Sequence, residues 1–320
     1  MDKMKAIEKM NLLGSQSLPF LFIIDFDLKN PLVLSPEEII HSGIQYRIRN
    51  DEAPTFNIPA FEFEKKPVSF SEYQQAFEIV HRELSYGNSY LINLTIPTRI
   101  NTTLSLEEIF HYSKAPFKLL VPDQFVIFSP ESFVRISKGM ISTFPMKGTI
   151  NANIPDAEAI ILSDPKEQAE HTTIVDLLRN DLSMVAENVT VKRYRYVEKI
   201  ETAGGALLQV SSEITGELKD DYKTQLGNII FKLLPAGSVT GAPKEKTVEI
   251  IRRAENYERG YFTGIFGYFD GKVLESAVSI RFIENTPEGF VYKSGGGITA
   301  KSEAGKEYQE LLDKVYVPIV

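Results

Sequence analysis

The chain contains no cysteine and only four histidines, His41, His81, His111 and His171, which lie far apart. Without cysteine it can form no disulfide or thiolate metal site, and it has no cysteine nucleophile. The histidine spacing matches no zinc motif, so any metal must be held by oxygen ligands. That chemistry indicates Mg²⁺ or no metal at all.

Long apolar runs and an excess of positive charge are also missing. The most apolar stretch, residues 18–24, is far shorter than the roughly 20 residues of a membrane helix. The first ten residues lack the apolar core of a signal peptide. The net charge of -8 disfavours binding to nucleic acid. We therefore expect a cytoplasmic protein with neither a membrane nor nucleic acid as a partner.

The 320 residues, 43% of them apolar, are enough for a large core, and their pattern predicts an α+β protein. Short turns at 270–271 and 287–289 separate neighbouring strands, which favours antiparallel pairing. We predict strands at 18–26, 44–49, 89–98, 125–137, 261–270, 272–284 and 289–299. We predict a linker at 51–69 and helices from about Ser71, over 164–182, over 244–255 and from Ser302.

Two predicted helices each carry a pair of glutamates three residues apart, Glu167 with Glu170 and Glu307 with Glu310. This spacing places both carboxylates of a pair on one helix face. Two such pairs suit a hard cation such as Mg²⁺. Acidic residues at this spacing are also typical of solvated helix faces, so the pairs alone leave both interpretations open.

Two glycine-bearing stretches and one arginine could bind an anion. The loop at 235–247 leads into a helix with Pro243 in its predicted first turn, so free N–H groups could face a carboxylate. The run at 293–299 offers further bare backbone, although a bulge or tight turn explains it as well. Arg281 lies in an apolar strand pattern, where a guanidinium is costly unless it meets an anion.

Lys147 lies between Met146 and Gly148, at the predicted end of a strand and start of a loop. Taken alone, a lysine before a glycine is a solvated turn residue. Its significance depends on the motifs around it.

Six motifs in order, SPESF, PMKGT, EHTTIVDLLRNDL, GSVTGAPK, RGYFTGIFGY and GGGITAKSEAGKEYQE, resemble the chorismate-utilising enzymes from about Ser71 onward. This family includes component I of anthranilate synthase and of aminodeoxychorismate synthase, and the isochorismate and salicylate synthases. The resemblance implies one chorismate-binding domain over 1–320, a two-sheet antiparallel β-sandwich with flanking helices. The first 66 or so residues resemble a shortened N-terminal segment that contributes strands, without a counterpart of the family's tryptophan regulatory site.

The resemblance also implies roles for individual residues. Glu170 and Glu310 resemble the Mg²⁺ ligands, and Glu167 and Glu307 the residues that hold metal-bound water. Glu131 resembles the general acid. The residues expected to bind substrate are Arg281, Gly295, Gly296, Gly297, Thr240, Gly237, Ser238, Gln209 and Phe262. Of these, Phe262 and Gln209 replace a tyrosine and a histidine found in many members, so Tyr261 would have to supply the phenol.

Two positions separate reactions within the family. Lys147 stands where anthranilate and salicylate-type members usually have alanine, and a lysine there marks aminodeoxychorismate synthases. Leu91 stands where hydroxylating members place a lysine base. The resemblance therefore implies conversion of chorismate and ammonia to 4-amino-4-deoxychorismate, for 4-aminobenzoate and folate synthesis. Anthranilate synthase component I and a non-catalytic chorismate- or anion-binding protein remain alternatives.

The expected partners follow from the same absences. A glutaminase of the type that serves this family uses a cysteine nucleophile, which this chain lacks. We therefore expect a separate glutaminase subunit that supplies ammonia. A separate aminodeoxychorismate lyase would release 4-aminobenzoate.

Overall fold

The structure, a computed structural model, describes residues 1–49, 58, 60–202 and 205–319. Its α-helices are α1 (Lys3–Ser15), α2 (Pro36–Ser42), α3 (Phe70–Ser85), α4 (Leu106–Tyr112), α5 (Ala157–Ser163), α6 (Pro165–Ser183), α7 (Leu226–Leu233), α8 (Lys244–Ala254) and α9 (Ala304–Asp313). Within the described ranges, no helix is long and apolar enough to cross a membrane.

The strands are β1 (Phe20–Ile24), β2 (Leu32–Leu34), β3 (Gln45–Ile48), β4 (Phe63–Lys66), β5 (Leu91–Thr102), β6 (Phe117–Val121), β7 (Phe125–Ser129), β8 (Ser132–Ser137), β9 (Met140–Thr143), β10 (Met146–Asn151), β11 (Glu187–Thr202), β12 (Gly205–Glu217), β13 (Gly241–Ala242), β14 (Ile265–Phe269), β15 (Val273–Val278), β16 (Phe282–Thr286) and β17 (Gly289–Ile298). The described part of the first 66 residues thus supplies four strands.

The strands form two sheets, and the described pairings are all antiparallel. Sheet one has the order β10-β12-β9-β8-β15-β14-β1-β2, and β11 pairs with β12. Sheet two has the order β13-β5-β17-β16-β7-β6-β3, and β4 pairs with β5. The prediction of an α+β fold with two antiparallel sheets is confirmed.

Alternation along β1 shows how the layers are built, because successive side chains of a strand point to opposite faces. Phe20, Phe22 and Ile24 pack into a core with α1, α6 and α7, outside sheet one. Leu21 and Ile23 pack between the sheets, against β6, β7 and β16. Helices α3, α8 and α9 cover sheet two over β5 and β17. The result is a sandwich of two sheets with helices on both outer faces.

In the described part of the chain, two changes of sheet occur without a helix in between. The chain leaves sheet two after β7 and enters sheet one at β8 through Pro130 and Glu131, and it returns between β15 and β16 through residues 279–281. Each crossing is hydrogen-bonded to a strand that flanks the other crossing. Val278 N, at the end of β15, donates to Glu131 O at 3.1 Å, and Phe128 N, in β7, donates to Arg281 O at 3.1 Å. The crossings therefore lie side by side where the sheets diverge.

These crossings correct the predicted strands. The segments 125–137 and 272–284 were each predicted as one strand, yet each is two strands in different sheets. Arg281 consequently lies in a crossing, with φ of 54°, and not inside a strand. Apolar periodicity continues through a crossing because both flanking strands are buried, so the pattern alone does not reveal the break.

Three smaller predictions also change. Lys147 is the second residue of β10, so the loop comes before it and not after it. Pro243 precedes α8 as its N-cap instead of lying in the first turn. Part of the predicted linker forms β4, while residues 51–57 and 59 lie outside the described residues.

Candidate active site

A cavity of about 580 Å³ opens beside the two crossings and is bounded by α6, α9 and the ends of β5, β10 and β17. Thirteen of the fifteen predicted site residues line it: Glu131, Lys147, Glu167, Glu170, Gln209, Ser238, Phe262, Arg281, Gly295, Gly296, Gly297, Glu307 and Glu310. Residues more than 170 positions apart in sequence therefore meet at one place.

Gly237 and Thr240 do not line this cavity. The Thr240 hydroxyl is fully buried and donates to Ala236 O at 2.7 Å. Gly237 is packed against α6, where an added Cβ would stand 2.7 Å from Asp181 Oδ2. Of the predicted loop, Ser238 and its neighbour Val239 face the cavity instead.

Glu131 occupies the first crossing and is partly buried. Burial raises the pKa of its carboxyl, although a hydrogen bond from Ser238 and the nearby charges of Arg281 and Lys147 act in the opposite direction. A carboxyl with a raised pKa is suited to donate a proton near neutral pH.

Arg281 occupies the second crossing, next to Glu131. Its guanidinium lies over the ring of Tyr316, with 5.5 Å between the guanidinium carbon and the ring centroid. Its Nε is buried without a hydrogen-bond partner among the described residues. A partly buried guanidinium that lines a cavity and keeps an unused donor is suited to bind an anion.

The glycines of β17 present backbone amides to the same cavity. Opposite Gly297 and Gly295 on β5, Asn93 N donates to Thr240 O at 2.9 Å and Thr95 N to Glu255 Oε1 at 2.8 Å. Both β5 residues thus bond away from β17, so the N–H groups of Gly295 and Gly297 point to its other edge. By the same alternation Gly296 N–H points to β5, so two of the three predicted amides can reach a ligand.

Lys147 projects from β10, with 32% of its side chain exposed, and its Nζ donates to Glu170 Oε2 at 2.8 Å. Burial by itself would lower the pKa of Lys147. The charges of Glu170, Glu310 and Glu167 outweigh burial, so the pKa of Lys147 is raised. In this arrangement the amine is protonated.

The four acidic residues predicted to hold Mg²⁺ or its bound water come from two helices. Helix α6 begins where Asp164 Oδ1 accepts from Lys166 N at 2.8 Å and from Glu167 N at 3.1 Å. Burial, and then the neighbouring Glu170, raises the pKa of Glu167. On α9, burial and then the Glu310 charge raises the pKa of Glu307, although a hydrogen bond from Ser302 opposes the rise.

This donor set fits a hard divalent cation. Within the described ranges, no three histidine or acidic side chains stand ready to hold a metal together. Mg²⁺ usually takes one or two carboxylates and completes its shell with water and an anionic ligand, so it needs no larger cluster. Burial first, and then the neighbouring carboxylates, raises the pKa values of Glu167 and Glu307, and a bound cation would favour their charged forms.

The two departures from the family pattern lie at the cavity. Phe262 and Gln209 both line it. Tyr261 does not replace the missing phenol, because it faces away and its hydroxyl donates to Asn30 O at 2.8 Å. A phenol at the cavity comes instead from Tyr316, which no motif predicts.

The sequence analysis also missed three lysines that line the cavity, Lys166, Lys293 and Lys314. Lys314 Nζ donates to Glu310 Oε1 at 2.8 Å and to Gly295 O at 3.0 Å, which links α9 to β17. The i,i+4 spacing of Glu310 and Lys314 could have revealed this pair. Lys293 is buried on β17, and no local pattern distinguishes it.

A second cavity, of about 390 Å³, lies at residues 26–29 and 251–259 and contains none of the predicted site residues. It shares no lining residue with the first cavity. The chemistry that the sequence predicts therefore belongs to the larger cavity alone.

Comparisons with known proteins identify the family of the chain. The family model of the chorismate binding enzymes matches residues 27–319. A Haemophilus influenzae protein described as an uncharacterized PabA-like protein is 55% identical over 316 residues, 98% of this chain and 96% of that protein. Component 1 of aminodeoxychorismate synthase from Klebsiella aerogenes is 32% identical over 265 residues, 78% of this chain but 57% of that synthase.

The fold agrees with solved structures as well. The menaquinone-specific isochorismate synthase MenF from Escherichia coli superposes with a TM-score of 0.73 over 97% of this chain and 80% of that one, at 17% identity. At this identity the likeness concerns the fold alone. The match of the family model to residues 27–319 shows that the chain belongs to the chorismate-binding enzymes.

Proposed function

We propose that this chain is component I of an aminodeoxychorismate synthase, which converts chorismate and ammonia to 4-amino-4-deoxychorismate. The observation that carries the proposal is a lysine, Lys147, in the same cavity as the carboxyl of Glu131 and the guanidinium of Arg281. These three groups supply a nucleophile, an acid and an anion-binding cation. Similarity to the Klebsiella synthase supports the same reaction.

The reaction proceeds in two displacements. The neutral Lys147 amine attacks C2 of chorismate while Glu131 donates a proton to the C4 hydroxyl, which leaves as water as the double bonds shift. A carbon–nitrogen bond forms at C2, and the proton that the amine loses returns to the Glu131 carboxylate. Ammonia then adds at C4 as the C2–nitrogen bond breaks, and the proton that the new C4 ammonium loses goes to the departing nitrogen, which releases Lys147 as a neutral amine. Meanwhile Arg281 and the amides of Gly295 and Gly297 hold the carboxylates.

The ion pair with Glu170 must be relieved before Lys147 can attack, because an ammonium is not a nucleophile. Glu170 and Glu310 would hold Mg²⁺, and Glu167 and Glu307 would hold water bound to it. When bound, the cation would neutralise charges that raise the pKa of Lys147 and would attract a substrate carboxylate. The resulting 4-amino product would serve 4-aminobenzoate and folate synthesis.

The alternative reactions have less support from the cavity. Hydroxylation at C2 needs a base where Leu91 lines the wall, and a leucine cannot accept a proton. Anthranilate synthesis does not require a lysine at position 147. A non-catalytic binding protein would need neither the lysine nor a carboxyl with a raised pKa.

We further propose a separate glutaminase as the source of ammonia, since the chain lacks the cysteine of the usual glutaminase. Release of pyruvate to form 4-aminobenzoate would fall to a separate lyase.

Product analysis tests the proposal. The purified chain, incubated with chorismate, Mg²⁺ and ammonium at raised pH, should form 4-amino-4-deoxychorismate. Glutamine in place of ammonium should give none until a glutaminase is added. Anthranilate as the main product, no turnover under any condition, or glutamine-dependent turnover by the chain alone would each contradict part of the proposal.

A further inference from the structure

A buried ion pair lies directly behind the cavity wall. Arg259 Nε donates to Glu255 Oε2 at 2.8 Å and its Nη2 to Oε1 at 2.7 Å, and each side chain is 2% exposed. Removing two charges from water is costly, and such a pair often stabilises a fold no better than packed apolar side chains. Stability alone therefore does not explain why these two residues are charged.

The pair completes one edge of β5. On that edge β13 pairs with residues 91–92 and β4 with residues 99–102, and between them no strand of the described chain pairs with it. The ion pair fills the gap: Arg259 Nη2 donates to Asn93 O at 2.6 Å, and Thr95 N donates to Glu255 Oε1 at 2.8 Å. Two side chains thus take the place of a strand.

Arg259 also bonds to two other parts of the cavity wall. Its Nη1 donates to Val239 O at 3.0 Å and to Thr263 Oγ1 at 3.2 Å. Val239 follows Ser238, which is hydrogen-bonded to Glu131. Thr263 has φ of 58°, which is strained for a β-branched residue, and its N–H donates to Ser279 O at 2.8 Å in the Arg281 crossing.

All five N–H donors of the guanidinium are therefore in use, and three of its acceptors belong to residues that line the cavity, Asn93, Val239 and Thr263. A planar fork that binds several acceptors at fixed angles sets their relative positions, which a lysine ammonium cannot do. We infer that Arg259, held by Glu255, is a positioning residue for the half of the site that binds the substrate carboxylates. This inference rests on the proposed function.

The inference predicts a division between binding and chemistry. The elements that Arg259 joins carry Arg281, Ser238 and, through β5, the amides of β17. Lys147 and the four acidic residues of α6 and α9 lie on elements to which Arg259 makes no hydrogen bond among the described contacts. Replacing Arg259 should therefore weaken chorismate binding more than it slows the reaction of the bound chorismate.

The test uses Arg259→Lys, which keeps the charge opposite Glu255 but removes the fork. With assays corrected for the folded fraction, KM for chorismate should rise about tenfold or more while kcat falls less, since small misplacements of binding groups are costly. Glu255→Gln, which keeps an acceptor for Thr95 and leaves the other arginine bonds in place, should raise KM less than Arg259→Lys. If Arg259→Lys does not fold, Glu255→Gln replaces it in the test. In that case, a rise in the KM of Glu255→Gln of threefold or more supports the inference.

Arg253→Lys is the matched control, because Arg253 lies in the last turn of α8, two residues before Glu255, and pairs at 2.7 Å with Glu83 outside the cavity. Its KM and kcat should stay within about twofold. The inference would be overturned if Arg259→Lys folded and kept the wild-type KM, or if Arg253→Lys changed KM equally. If Glu255→Gln is the only variant that folds, an unchanged KM in that variant would overturn it. Calorimetric titration of chorismate measures the same loss without turnover, so the result stands even if the product is not the 4-amino compound.

Discussion

Two lysines of this protein, Lys147 and Lys118, are shielded from solvent in different surroundings. Lys147 faces three glutamates of the cavity, which raise its pKa against the effect of burial. Lys118 on β6 is 2% exposed and has no carboxylate partner among its described contacts. Its Nζ donates to backbone oxygens of Phe110 and Ser113, the latter at 2.9 Å. Burial, with a further contribution from Arg47, lowers the pKa of Lys118 to about 8.

The difference shows what the acidic residues do in the cavity. Burial moves a lysine toward the neutral form, and at Lys118 a smaller contribution from Arg47 acts in the same direction. The glutamates of α6 and α9 reverse that tendency, because they raise the pKa of Lys147 and keep its side chain in the ammonium form. A neutral nucleophile therefore requires that the glutamates be neutralised, which ties the lysine to whatever cation and substrate enter the cavity.

The largest expected effect separates the two lysines by function. Lys147→Ala should lower 4-amino-4-deoxychorismate formation by roughly a thousandfold or more, on the scale of losing a catalytic nucleophile. Its free energy of unfolding should change by less than about 1 kcal/mol, because the ion pair is partly exposed. Steady-state kinetics and denaturant unfolding measure the two quantities.

The matched variant Lys118→Met should give the opposite result. It leaves buried carbonyls without their donor, so the free energy of unfolding should fall by about 1–3 kcal/mol. The rate per folded molecule should stay within about twofold of wild type, since Lys118 does not line the cavity.

Amination at the wild-type rate by Lys147→Ala would show that Lys147 is not the nucleophile of the reaction.

A smaller effect concerns pH. The pKa of Lys118 falls from 10.5 to about 8 on folding. Between these pH values the unfolded chain keeps a proton that the folded chain has lost, so the contribution of Lys118 to stability rises with pH. The wild type should therefore gain up to about 3 kcal/mol relative to Lys118→Met between pH 8 and 10.5. Parallel stability curves for the two proteins across this range would show that Lys118 titrates normally.

The acidic half of the site could be predicted from sequence because it is local. Glu167 with Glu170 and Glu307 with Glu310 follow from helical spacing, and the helices form where the pattern predicts them. That these pairs face one cavity came from the family resemblance, since spacing does not relate two helices more than a hundred residues apart.

The other half depends on tertiary structure. Glu131 and Arg281 lie where the chain changes sheets, and continuous apolar patterns concealed both crossings. Thr240 was placed at the substrate by its motif, but its hydroxyl satisfies a carbonyl of its own loop. Arg259 belongs to a recognised motif, yet it also bonds to Val239, 20 positions away, and to Asn93, 166 positions away, which no periodicity reveals.

The most direct test of the central claim, that Lys147 is a nucleophile, is intact-protein mass spectrometry. The wild type is incubated with chorismate and Mg²⁺ without ammonia and then quenched. We predict a mass increase equal to chorismate minus water, located on Lys147 by peptide mapping, absent from Lys147→Ala and discharged when ammonium is added before the quench. A wild type that forms the 4-amino product yet gives no adduct on Lys147, or the same adduct in Lys147→Ala, would contradict the account.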